Sequence, residues 1–286
     1  MASTVEELLE KFLLESQSTV ERGSKFERLI KSFLLNDVEW AQRFDQVWEW
    51  MEWPGRAGKR DTGIDLVARV RETGDLVAVQ CKFYDPDTLL QKSHIDSFLS
   101  DSGKAPFTER LVVSTALNWG PNAEAAIQGQ TKPVSRIGLH DLVESSIDWH
   151  QFDISTPEIL ELKERKQLRP HQREALDKVR AGFETGDRGK LIMACGTGKT
   201  FTSLKIVEEQ VPLGGSVLFL VPSIALLSQT LREWSIEAEN SLRTFAVCSD
   251  IKVGRSDDSP RSLSLTSPFR PPRTRSNLLG RSTTRT

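Results

Sequence analysis

Cysteine is scarce in this chain: Cys81, Cys195 and Cys248 are the only 3, far apart and odd in number. With no C-x-x-C pair, neither a disulfide framework nor a structural zinc site is expected, and a reducing cytoplasm fits. Long apolar runs are missing too. No stretch approaches the roughly 18 residues that a membrane span requires. The N-terminal MASTVEELLEKFLLESQ carries acids where a signal peptide carries bases. A cytoplasmic location without a membrane partner is therefore expected. Net charge is nearly absent as well, 38 Lys plus Arg against 40 Asp plus Glu leaving -2. No global field draws in a polyanion, so affinity for nucleic acid must come from a local patch.

What is present, in 286 residues, suffices for one to three domains. The first 35 residues read as two helices, the second opening at Gly23-Ser24 and carrying Phe26, Leu29, Ile30, Phe33 and Leu34 on one side. A tryptophan-rich segment, Trp40 to Trp53, alternates as a strand would, and its rings read as core packing rather than base stacking. Strands are then expected at 64–71, 76–83, 110–115 and 135–138, with helices near 93–100 and 121–128. From residue 149 to 167 a Pro-bearing, then charged stretch reads as a connection. The second unit alternates helix 170–183, strand 190–194, helix 199–209, strand 216–221, helix 224–239 and strand 244–248, the order of a covered parallel sheet.

The stretch DTGIDLVARVRETGDLVAVQCKF, Asp61 to Phe83, reads as a hairpin turning at Glu72-Thr73-Gly74-Asp75. Paired residue numbers then sum to 147, which sets Lys82 across from Asp65 and Gln80 across from Val67. One face holds Leu66, Ala68, Val70, Val77, Val79, Cys81 and Phe83 and is the core side, leaving Asp65, Gln80 and Lys82 converging at one open end. A carboxylate and an amide oxygen suit magnesium, and a lysine beside it can hold the attacking water and offset charge on a phosphate. A plain Asp65–Lys82 cross-strand ion pair is the other reading of the same spacing.

Asp65, a strand, then Gln80-x-Lys82 resembles the PD-(D/E)XK nuclease pattern, in the Gln-x-Lys form of Mrr-like restriction endonuclease domains. Asp61, Gly63 and Asp65 in Asp-x-Gly-x-Asp spacing resemble that group too, as does Phe26-Glu27 on the first helix. The resemblance implies Asp65, Gln80 and Lys82 as catalytic residues, with Asp65, Gln80 and Glu27 toward the metal. Glu27 also fits a capping box with Ser24, and Asp61 before Thr-Gly is a turn former in its own right.

Met193-Ala-Cys-Gly-Thr-Gly-Lys-Thr200 follows an apolar run and opens a helix, the setting of a phosphate-binding loop. Gly196, Thr197 and Gly198 form the loop, Lys199 serves the β and γ phosphates and Thr200 a magnesium ion. The loop resembles that of superfamily 2 helicases and translocases. Before it, Gln172 in Leu168-Arg-Pro-His-Gln resembles the adenine-reading glutamine of those motors. Leu218 to Gln229 resembles their strand and loop along the nucleic-acid backbone, although Ser223 and Gln229 fit a plain strand-to-helix junction as well.

These resemblances imply an α/β chain: a mixed-sheet PD-(D/E)XK nuclease-like domain followed by an incomplete RecA-like P-loop domain. The expected division is an N-terminal helix over 1–22, an Mrr-like domain over 23–148, a linker over 149–167, a partial ATP-binding domain over 168–255 and a disordered tail over 256–286. Mg2+ and ATP are the expected cofactors, and DNA the expected partner, with further restriction-modification subunits beside it. After Thr200 the only aspartates are Asp250, Asp257 and Asp258 and no Asp-Glu pair appears, so ATP turnover by these residues alone is not expected. From Pro260 onward there is no Asp, Glu or Lys but there are six arginines, a composition break that reads as read-through in a wrong frame or a truncated product. A DNA- and ATP-binding remnant that does not cut, or an inert truncated product, are the alternatives.

Overall fold

The computed structural model describes residues 4–58, 63–157, 160–240 and 242–247. Asp61, Cys248 and the expected tail lie outside them. The chain opens with helix α1 (Val5–Glu15), capped by Thr4 and Glu7 in a capping box, and continues into α2 (Thr19–Asn36). α2 starts a turn earlier than expected. Ser18 and Glu21 form the same S-x-x-E pattern as Ser24 and Glu27, and the Ser18 hydroxyl accepts the Glu21 N–H at 3.1 Å. Gly23 and Ser24 therefore sit inside the helix, and Glu27 is a mid-helix side chain rather than a cap.

Helix α3 (Val38–Arg43) leads into β1 (Phe44–Glu49), so the tryptophan-rich segment is helix, strand and turn in succession rather than one strand. Its rings pack: Trp40, Trp50 and Trp53 are buried. Next come β2 (Leu66–Val70), β3 (Leu76–Lys82), the short β4 (Leu89–Leu90), α4 (Asp96–Ser102), β5 (Phe107–Ser114), the short β6 (Asn118–Trp119), α5 (Pro121–Ile127), β7 (Val134–Gly138) and α6 (Leu139–Val143). The main sheet runs β1-β2-β3-β5-β7, antiparallel among the first three strands and parallel among the last three. β4 and β6 make a separate parallel pair.

Both faces of the main sheet are covered. On one, Leu66, Ala68, Val77 and Val79 meet Phe26, Leu29, Ile30 and Phe33 of α2, with Trp149 and Phe152 joining that core. On the other, Val67, Ala78 and Val112 meet Trp50, Ile64, Ile95 and Phe98. The expectation of a single core side is thus corrected, because the parallel half of the sheet places connecting segments on the face that a hairpin alone would leave wet.

The second unit holds α7 (Pro170–Thr185), α8 (Lys199–Gln210) and α9 (Ile224–Glu237), close to the expected helices. Its three expected strands form no ladder among the described residues. A helix closes its hydrogen bonds locally, whereas a parallel strand needs neighbours on the correct side. Ile192, Leu218 and Leu220 are instead 80% or more exposed.

α9 ties the two units together. Arg232 donates to Asp141 at 3.3 Å and pairs with Glu144, both beside or within α6, and Lys166 pairs with Glu233 at 3.0 Å. A cavity of about 720 Å3 opens along this junction, lined by Arg43, Glu72, Arg165, Asn240, Arg243 and Phe245 among others. Nearby, burial pushes the carboxyl of Glu39 up to about 7; the Asp37 charge adds to the shift, and Arg232 opposes it. The folded state thus favours protonated Glu39. That contribution to stability is complete below the ordinary value of 4.5 and is lost as pH rises through about 7. Glu39→Gln should leave stability unchanged at pH 4.5 and raise it at pH 8 by about 1–3 kcal/mol. Urea melts of the two proteins at both pH values measure the difference.

Candidate active site

The β2–β3 hairpin is shifted from the expected register. Leu66 pairs with Val79 and Arg69 with Leu76, so paired numbers sum to 145 rather than 147. The cause is the turn. Val70 N–H donates to Asp75 O and Gly74 N–H to Val70 O, with Gly74 at φ +73°, a conformation that suits glycine at the last loop position. A shift of two, being even, keeps every residue on its face. Extended by one position, this register sets Gln80 rather than Lys82 across from Asp65.

Asp65 sits just before β2, where the ladder loosens. Its N–H donates to Val79 O at 2.9 Å, and its carboxylate Oδ2 accepts the Cys81 N–H at 2.6 Å, in place of a strand carbonyl. The acid is thereby fixed to the backbone of β3. Gln80, only 1% exposed, donates through Nε2 to Gly63 O at 3.0 Å, while its Oε1 is buried with no hydrogen-bond partner. Lys82 ends β3 half-buried, beside Ser114 of β5. Glu27 approaches from α2. Burial pushes the Cys81 thiol well up, the negative charges of Asp65 and Glu27 push it further, and Lys82 opposes them. Two carboxylates and one ammonium therefore act on a single thiol at the end of β3, which places Glu27, Asp65 and Lys82 around Cys81, while Gln80, the preceding strand residue, turns its amide the other way toward Gly63.

Among the described residues no three His, Cys, Asp or Glu side chains gather as a metal-binding group. Candidate donors here are instead one or two carboxylates and an amide oxygen, a hard and incomplete set of the kind that leaves room for waters and phosphate oxygens on magnesium. The orphaned Gln80 Oε1 fits such a cation, since a buried acceptor without a partner is otherwise a standing cost.

At the second site Gly196 and Gly198 both adopt positive φ, 75° and 78°, between the apolar run and α8. Lys199 Nζ donates to Ala194 O at 2.9 Å and Thr197 Oγ1 to the same carbonyl at 2.8 Å, so the loop is closed on itself. Thr200 lies in the first turn of α8, and its carbonyl accepts the Trp234 indole N–H at 3.0 Å. Gln172 is 4% exposed and both ends of its amide are engaged: Oε1 accepts the Arg169 N–H at 2.9 Å and Nε2 donates to Thr197 O at 3.0 Å. In this form it braces the loop through Thr197. Ser223 caps α9, its hydroxyl accepting the Leu226 N–H at 3.3 Å, and Gln229 is exposed. The junction reading suffices for both.

Sequence reasoning did not single out the Cys81 N–H, the Gly63 carbonyl or Arg232 as functional groups. Backbone atoms leave no residue type to read, and only the Asp-x-Gly-x-Asp spacing pointed toward Gly63. The signal for Arg232 was weaker still, one arginine on an amphipathic helix.

Residues 35–159 match the family described as restriction endonuclease, Mrr_cat_2, and residues 165–267 the family described as type III restriction enzyme, res subunit. The chain is thus a restriction endonuclease domain followed by a helicase-like domain. Among solved structures it is similar to the ATP-dependent Type ISP restriction-modification enzyme LlaBIII bound to DNA, with 40% identity and a TM-score of 0.68. The likeness covers 83% of this chain and 15% of that one. No curated protein matches.

Proposed function

We propose that the first unit is a magnesium-dependent DNA endonuclease of a restriction system and that the second binds ATP at residues 193–200. One observation carries the nuclease reading: the buried Gln80 Oε1, without a hydrogen-bond partner, lies at the strand end shared with Asp65 and Lys82. Leaving such an oxygen bare costs about 1–3 kcal/mol, which a cation would offset. Asp65 and Gln80 would hold that ion, with Glu27 as a further carboxylate. When bound, it polarises a phosphate oxygen and lowers the pKa of a coordinated water.

The residues of the chain do the positioning. The Cys81 N–H holds the Asp65 carboxylate in place, and the Gly63 carbonyl holds Gln80. Lys82 orients the attacking water by hydrogen bonding and offsets the negative charge that grows on the phosphate. DNA is the substrate class that the restriction-endonuclease likeness supports, and the similar LlaBIII is described as bound to DNA. Further restriction-modification subunits belong to the same proposal. ATP would bind with its phosphates on the loop at the start of α8.

Supercoiled DNA incubated with the chain and Mg2+ should be nicked, and excess EDTA should stop the reaction. DNA retarded on a gel but left intact under both conditions would count against cutting and favour a binding-only remnant.

A further inference from the structure

Besides Gln80 Oε1, the Ser16 hydroxyl and the Nε atoms of Arg22 and Arg110 are buried without a partner in the described residues. Of these four atoms, only the Gln80 oxygen has its orientation fixed by a contact that chemistry makes one-way. A primary amide fits its space equally well after a half-turn, with oxygen and nitrogen exchanged, and only the oxygen can ligate a cation. Nε2 of Gln80 stands 3.0 Å from Gly63 O. After the half-turn two acceptors would face each other at that distance with no proton between them.

We propose that Gly63 is a positioning residue for the cation site: its carbonyl takes the nitrogen end of the Gln80 amide and so commits the oxygen end to the metal. This rests on the reading of that strand end as a cation site. Gly63 can do this because it has no side chain. Its φ is +75°, a conformation that L residues rarely adopt, and a Cβ there would lie 2.9 Å from Ser97 Oγ and 3.6 Å from Gln80 Nε2. Any larger residue must turn the Ser97 hydroxyl aside and is strained at this φ, and relieving that strain rotates the peptide and moves the carbonyl.

The consequence is counterintuitive. Gln80→Glu supplies a full carboxylate, ordinarily the better ligand for a hard cation, yet it sets a second oxygen against the Gly63 carbonyl. Binding of Mn2+, standing in for magnesium, is followed on the full chain by electron paramagnetic resonance, and unfolding temperature without metal is measured alongside. Gln80→Glu should weaken Mn2+ binding by about tenfold or more, the usual scale for disturbing an outer partner of a metal ligand. It should also lower the metal-free unfolding temperature. Gly63→Ala should weaken binding to a similar degree; because it can also impair folding, the decision rests on Gln80→Glu.

Mn2+ bound by Gln80→Glu as tightly as by the wild type, with an unchanged unfolding temperature, overturns the role of Gly63 while leaving the cation site in place. A wild-type chain that binds no Mn2+ overturns both.

Discussion

Lys82→Ala should lower the rate of Mg2+-dependent nicking of supercoiled DNA by about 100-fold to 1,000-fold, the effect of removing one electrostatic group aimed at a transition-state charge. The fold should not notice. Lys82 is half-buried at the last position of β3, and its carbonyl, not its side chain, accepts the Thr115 N–H at 3.1 Å. Lys82 faces Asp65 and Glu27 across Cys81 as one partly exposed charge among several, so its truncation should change stability by about 1 kcal/mol or less. Lys82→Arg keeps the charge but replaces a compact ammonium by a planar fork, and should recover only part of the rate. Initial rates on plasmid, with melting curves of each variant, give the comparison. Equal nicking by wild type and Lys82→Ala would remove the lysine from the mechanism.

Gly198→Ala should weaken ATP binding by about tenfold or more and cost the second unit about 2–4 kcal/mol. Two terms add. A non-glycine residue at φ +78° costs roughly 1–2 kcal/mol. The new methyl would also lie 2.4 Å from Gln172 Nε2, displacing a side chain that bonds both Arg169 and Thr197, at about 1 kcal/mol per lost bond. Gly196→Ala is the internal control. Its φ is almost the same, 75°, but nothing lies within 4 Å of the added atom, so only the conformational term of about 1–2 kcal/mol applies. Urea melts together with fluorescent-nucleotide titrations separate the two variants; identical losses would mean that Gln172 does not brace the loop.

Several of these features can be read from residue types alone. Period-two alternation over Leu66 to Phe83 assigns Gln80 and Lys82 to one face, and that survives the change of register because the shift is even, whereas Asp65 lies just before the ladder. What periodicity does not give is the partner across the strand, which depends on where the turn places its glycine; Gly74 at φ +73° decides this. Nor does it give the caps. Ser18–Glu21 and Ser24–Glu27 are equivalent as strings, and only the longer helix reveals which one starts it. In the second unit α7, α8 and α9 follow from local spacing, whereas the apolar runs between them say that burial is wanted without saying by what.

Those runs bear on how the protein is handled in solution. Leu218 and Leu220 stand 83% and 80% exposed and Ile192 81%, on backbone that joins no ladder among the described residues. Each is a template for an intermolecular strand. Light scattering should rise steeply with protein concentration, and lysine at position 218 or 220 should suppress it without touching the nicking of DNA. Low working concentrations are the practical counterpart of that exposed apolar surface.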